Sequence, residues 1–170
     1  MRKLFQILIL TIVSHTVFAQ TPEVYKDSEG NKVLKGFVTR QQLASDTSFT
    51  WFAKNSTGYT PDASAVAAFK GAKDSVYVLA FGGTWCHDTQ FILPKFYALA
   101  DASGLAPDHI TFIGVDHGKK TIQHLSETFN ITNVPTFIVL KNGQELGRVV
   151  EYGKKGVWDR ELGEVITAKK

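Results

Sequence analysis

Apolar and polar positions along this chain fall into two spacings, and the switches between them mark out the elements. Val76-Tyr77-Val78-Leu79-Ala80-Phe81 is an almost unbroken apolar run of strand length, and Gly82-Gly83-Thr84 turns the chain after it. Phe91, Ile92, Leu93, Phe96, Tyr97, Leu99 and Ala100 then recur at helical spacing up to Ser103-Gly104. Ile110-Thr111-Phe112-Ile113-Gly114-Val115 is a second apolar strand, closed by Asp116-His117-Gly118. Ile122, Leu125 and Phe129 predict another helix, with Thr121 near its start and Asn130 at its end. Thr136–Leu140 and Glu145–Val150 are strands joined around Asn142-Gly143, a strong hairpin signal. Val157, Leu162, Val165 and Ile166 predict a final amphipathic helix. Upstream, Pro61-Asp62 opens an alanine-rich helix over Ala63–Ala72, with Val66 and Phe69 on one face and Gly71 near its close.

From residue 63 the order is therefore α-β-α-β-α-β-β-α. Strands that alternate with helices imply parallel pairing and right-handed crossovers, and the Asn-Gly hairpin adds an antiparallel edge. Residues 20–61 are less regular. Val24-Tyr25-Lys26 and Lys32-Val33-Leu34 flank a polar loop and read as a β-hairpin. Phe49, Trp51 and Phe52 form an aromatic group that fits a core, with a peptide-binding face as the alternative. The turn-rich stretch from Asn55 to Asp62 reads as a loop.

The first nineteen residues carry a different signal. Arg2-Lys3, the apolar stretch from Leu4 to Val13 and Val17-Phe18-Ala19 read as a secretory signal peptide, with an apolar core too short for a comfortable transmembrane span; the alternative is an uncleaved N-terminal anchor. The mature chain expected is Gln20–Lys170, periplasmic or secreted, without an integral membrane span. Removing Arg2 and Lys3 lowers the formal net charge from +3 to +1. The remaining lysines are scattered, which argues against nucleic acid as a partner. The chain has a single cysteine, so it forms no internal disulfide and relies on its core for stability. A lone cysteine in an exported protein points to a reactive thiol or an intermolecular bridge, against the alternative of an inert buried residue.

That cysteine lies in Trp85-Cys86-His87-Asp88-Thr89, where strand, tight turn and helix meet. The first turn of a helix presents unpaired N–H groups and the positive end of the macrodipole, which stabilise a thiolate. Cysteines so placed have pKa values lowered from about 8.5 to roughly 3.5–7.5. Thr89 is one turn on, where its hydroxyl either supports the thiolate or simply suits the helix start. His87 either lowers the cysteine pKa and shuttles protons or is an exposed loop histidine. Asp88 favours the helix start but opposes a thiolate, so a moderate depression is expected.

This segment resembles the active site of the thioredoxin superfamily, whose pattern is Trp-Cys-x-x-Cys followed by a helix-kinking proline. Trp85 and Cys86 match, Pro94 stands at the kink, and Val134-Pro135-Thr136 matches the cis-proline segment that faces the cysteine. The resemblance covers roughly residues 62–168. It implies an α/β, thioredoxin-like three-layer sandwich, with a central mixed sheet, helices on both faces and an N-terminal β-hairpin extension. On that basis residues 1–19 are the signal peptide, 20–61 an extension belonging to the same domain, and 62–170 the thioredoxin-like domain. It also implies a substrate-binding role for Trp85, Val134 and Pro135. The chain departs from the pattern in two places. Thr89 replaces the second cysteine, and Ala80 stands where the family carries the buried aspartate that serves it.

A dithiol enzyme releases its substrate when the second thiolate attacks the mixed disulfide, and threonine cannot do this. What remains is monothiol chemistry, with Cys86 as nucleophile and Thr89 and His87 as supporting residues. The expected partners are cysteine-containing exported proteins or small thiols, and a disulfide-linked dimer through Cys86 is a further outcome. No cofactor or metal is expected. Two other readings stand beside this one. One is a thioredoxin-fold binding module with little redox turnover. The other is a zinc or copper site built from Cys86, His87 and either His117 or His124, for which no recognised ligand spacing is present.

Overall fold

The structure, a computed structural model, describes residues 21–168. The signal peptide expected at 1–19 lies outside the described residues. The N-terminal hairpin is built from β1 (Glu23–Lys26) and β2 (Lys32–Val38). Asp27 closes its loop by accepting hydrogen bonds from the backbone N–H groups of Glu29 and Asn31 at 2.9 and 2.8 Å. Two six-residue helices follow, α1 (Arg40–Ser45) and α2 (Trp51–Ser56), separated by a 3₁₀ turn. Thr39 and Gln42 form a reciprocal capping box at the start of α1. Helix α3 (Ala63–Ala72) is capped by Asp62, as the sequence predicts.

The central unit is β3 (Val76–Gly82), the long helix α4 (His87–Ser103) and β4 (Ile110–Gly114). After it come the four-residue helix α5 (Leu125–Thr128), the hairpin β5 (Thr136–Lys141) and β6 (Gln144–Val150), and α6 (Trp158–Thr167). Asn142 and Gly143 both have positive φ, 52° and 73°, as a tight Asn-Gly hairpin turn requires. The sheet order is β1-β2-β4-β3-β5-β6.

Two expectations need correction. The alternation from residue 63 suggested parallel pairing, and β3 and β4 do run parallel, but β5 joins β3 antiparallel, as β2 joins β4. The alternation rule constrains strands joined by a full crossover helix that packs back on the sheet. The link from β4 to β5 carries only a 3₁₀ turn and the four-residue α5, and it returns the chain in the opposite direction. The helix expected around Ile122–Phe129 shrinks to a 3₁₀ turn and α5, because Gln123 and His124 take left-handed φ values of 52° and 55°.

The two sheet faces are covered unequally. Val76, Val78 and Ala80 of β3 face a core built with α1, α2, α3, α4 and α6, including Phe52, Phe69, Phe96, Trp158 and Leu162. The aromatic group at Phe49, Trp51 and Phe52 belongs to that core or packs against it. Phe81 of β3 faces the other core, with Ile113, Val115, Ile131, Val134 and Ile138, closed by Leu125 and Phe129 around α5. Cys86 and Trp85 pack against this second core, so the site grows from the thinner layer. Among the described residues no helix is long and apolar enough to cross a membrane.

Candidate active site

The turn between β3 and α4 is as tight as its glycines allow. A Cβ on Gly82 would lie 2.7 Å from the Thr89 methyl and 2.8 Å from the Phe112 ring, and one on Gly83 would lie 2.5 Å from the Trp85 indole. Two glycines therefore let β3 run straight into the active-site loop. The Cys86 N–H donates to the Gly83 carbonyl at 2.9 Å, and the Cys86 carbonyl accepts the N–H of Gln90 at 2.9 Å. Cys86 is thus the N-cap of a 17-residue helix, with extended backbone (φ −82°, ψ 123°) and its half-buried side chain at the positive end of the dipole.

Chain segments far apart in sequence complete the site. The Cys86 thiol donates to the Val134 carbonyl at 3.4 Å, and the Val134–Pro135 peptide bond is cis. The Trp85 indole N–H donates to the Val115 carbonyl at 3.1 Å. The His117 ring stacks on that indole, 4.1 Å between centroids and 19° from parallel. His117 Nε2 in turn lies 2.9 Å from Asp27 Oδ2 in the hairpin loop. Burial works against ionisation of Asp27, but hydrogen bonds from His117 and Asn31 outweigh it and hold its carboxyl at about 2. Thr84 ties the hairpin to the turn from the other side. Its hydroxyl donates to the Lys32 carbonyl at 2.9 Å and accepts the Leu34 N–H at 3.1 Å.

The other motif residues take separate positions. Thr89 is 0% exposed, and its hydroxyl accepts the Gly83 N–H at 3.2 Å. It therefore braces the active-site turn, which favours the structural role over direct support of the thiolate. His87 is exposed at the first position of α4. Asp88 accepts the Tyr152 hydroxyl at 3.0 Å. Burial, reinforced by the hydrogen bond to Asp88 and its charge, raises Tyr152 above its ordinary value. Tyr152 and Phe91 form an exposed aromatic pair beside the helix start, 6.2 Å between centroids. Ala80 is buried in β3.

Sequence reasoning passed over Asp27 and Tyr152, and it singled out His117 only as a metal ligand. Among the described residues, no three or more His, Cys, Asp or Glu side chains are placed to hold a metal ion. Asp27 lies 90 residues from His117 and Tyr152 lies 64 residues from Asp88, so no local spacing announces either contact. A polar hollow of about 420 Å³ lies between the hairpin and the site, lined by Lys26, Asn31, Ser48, Trp51, Thr84 and Gln90. A more apolar hollow of about 950 Å³, lined by Val38, Tyr97, Leu105 and Phe112 among others, lies toward the far end of α4 from Cys86.

The thioredoxin family pattern matches residues 64–161. Thioredoxin of Echinococcus granulosus is 35% identical over 96 residues, which are 56% of this chain and 80% of the relative. Thioredoxin H2-2 of Oryza sativa subsp. japonica is 30% identical over 102 residues, 59% of this chain and 70% of the relative. The crystal structure of Fasciola hepatica thioredoxin, 26% identical, aligns over 61% of this chain and 89% of its own with a TM-score of 0.41. The turn from β3 into α4, the lone thiol at its helix start and the matched span lead to one assignment: this chain belongs to the thioredoxin family.

Proposed function

We propose that this protein is an exported, thioredoxin-like monothiol protein that forms mixed disulfides with protein or small thiols through Cys86. Family membership supports a thioredoxin-like redox function. The observation that carries the monothiol reading is the position of Thr89. It sits one helical turn from Cys86, buried and bonded to the turn, where the family pattern places the second thiol. With one cysteine in the chain, the second step of exchange must come from an external thiol. Cys86 thiolate attacks one sulfur of a substrate disulfide, forming the Cys86–substrate S–S bond and releasing the other substrate sulfur as a thiolate that takes a proton from water. A second, external thiolate then displaces Cys86.

In this reading Trp85 walls the thiol on one side. The backbone of Val134 pairs with an extended substrate segment, a short form of strand addition at Pro135. His87, at the helix start and open to solvent, exchanges protons with the medium. Export rests on the pattern of residues 1–19, and N-terminal sequencing of protein from its native host should begin at Gln20.

The deciding experiment mixes the reduced full chain with an oxidised cysteine peptide and follows it by intact mass. The expected product is a Cys86-linked mixed disulfide that persists until a small thiol is added. Absence of that adduct would leave a thioredoxin-fold binding module.

A further inference from the structure

The N-terminal hairpin reaches the thiol site through one chain of contacts. Asp27, in the β1–β2 loop, is held by the backbone N–H groups of Glu29 and Asn31 and by the Asn31 side-chain amide at 3.0 Å. Its side chain is 5% exposed, whereas that of His117 is 50% exposed. A nearly buried carboxylate on a closed loop is a fixed anchor, and an exposed imidazole is free to turn unless something holds it. Asp27 holds it at 2.9 Å in the orientation that lays the ring flat on Trp85. On its other sides the indole is fixed by the Val115 carbonyl and by close approach to Gly83.

We propose that Asp27 and His117 are positioning residues for Trp85, so that the hairpin sets the wall beside Cys86 against which a substrate lies. This rests on the monothiol reading of the site. His117 reaches Asp27 with one ring nitrogen and lays its face on the indole at the same time, so the three side chains form one clamp. The charged groups around it are few. Lys119 Nζ lies 6.0 Å from the Trp85 ring centroid. Asp116 is paired with Lys35 at 2.8 Å, and Lys120 with Glu127 at 2.7 Å. Glu29 shares Asn31 with Asp27. Asp27 is the acidic group that touches His117, and it stays ionised down to about 2.

The test uses the full reduced chain and two readouts. The first is the indole N–H resonance of Trp85, assigned by its loss in Trp85→Phe. His117→Gln should move it, because the stacked ring leaves the indole, and Asp27→Asn should move it in the same direction by a smaller amount, because the ring loses its anchor. The second readout compares two reagents at Cys86. In Asp27→Asn the rate of mixed-disulfide formation with a peptide disulfide should fall roughly two- to five-fold, the size of a partly exposed ion pair's coupling. Alkylation by iodoacetamide, which needs no wall, should change less than that. Asp27→Glu should restore part of the loss.

A Trp85 resonance that ignores His117, or equal slowing of both reagents, overturns the clamp. If the wild type forms no mixed disulfide, the monothiol reading fails, and the resonance experiment still decides the clamp.

Discussion

The Cys86 thiol and the Val134 carbonyl oxygen are 3.4 Å apart although 48 residues separate them in the chain. The contact joins the first turn of α4 to the segment entering β5, and these two approach because β3, which leads into α4, pairs directly with β5 in the sheet. A thiol in that position is a property of the assembled sheet, so changes at the entry to β5 act on Cys86 as directly as changes beside it.

Thr89→Cys should supply a resolving thiol, since residues three apart share a helix face. The wild type should not accelerate insulin reduction by dithiothreitol beyond the uncatalysed rate, or should do so only weakly. The variant should form an internal disulfide between Cys86 and the introduced thiol, detected by intact mass and by loss of thiol titre, and should gain turnover. The gain should be partial, because Ala80 offers no proton acceptor. Adding Ala80→Asp should raise it further, at a cost in stability from burying a carboxylate in β3.

Thr89→Val keeps the shape and removes the acceptor of the Gly83 N–H. A buried donor left unpaired costs about 1–3 kcal/mol. Urea denaturation should show a lower midpoint with an unchanged slope, whereas a Thr89→Ser variant, which keeps the oxygen, should lose less.

Gly114→Ala should detach the hairpin. A Cβ there would overlap the Leu34 carbonyl of β2 and press on the Val38 side chain at 3.3 Å. Overpacking of this kind costs about 1–3 kcal/mol. Amide exchange should accelerate in β1 and β2 before it does so in β3, which separates local release from global unfolding.

Acid should destabilise the protein through named carboxylates. Burial opposes ionisation of Glu161, but the backbone N–H groups of Lys154 and Lys155, each at 2.8 Å, outweigh it and lower its pKa below 4.5. The Asp62 carboxyl is lowered to about 2, first by the Ser64 hydroxyl, against burial, and further by the Ala65 N–H and Arg160. Both folded values lie below the unfolded ones. The stability they contribute is complete above about 4.5 and drains away as pH falls through the depressed values. A thermal-melt series should be flat on the neutral side and fall below about pH 4.5. Glu161→Gln should lower the melting temperature at neutral pH and flatten that fall.

The sequence disclosed the centre of the molecule better than its margins. Val76–Phe81, the glycine turn and the apolar stripe of α4 are local signals, and they place Cys86 at a helix start without any tertiary information. The Asn142-Gly143 turn is equally local. Helices α1 and α2 have six residues each, too short to be stable alone, so packing makes them and no periodicity announces them. Three apolar residues at helical spacing misled at Ile122, because backbone strain at Gln123 and His124 leaves no trace in a hydrophobic pattern. In the site, the place of Cys86 at the start of α4 could be read from its neighbours. The contacts of Asp27 with His117 and of Tyr152 with Asp88 could not, since they join residues 90 and 64 apart in the chain.

The antiparallel docking of β2 on β4 has a consequence for how molecules of this protein meet one another. Without the hairpin, β4 would end the sheet with the unpaired backbone of Phe112, Ile113 and Gly114, a template for strand addition by another chain. With it, the outermost strand on that side is β1, four residues long and bounded by Glu23 and Lys26. On the opposite side β6 carries the Arg148–Glu145 ion pair at 2.6 Å and pairs with β5 through an irregular register at Val139 and Leu140. Short length, charge and a broken register are each poor substrates for fibril-like stacking. Colloidal behaviour is thereby tied to the hairpin, and any treatment that lifts β1 and β2 should bring aggregation before it brings loss of the α4 helix.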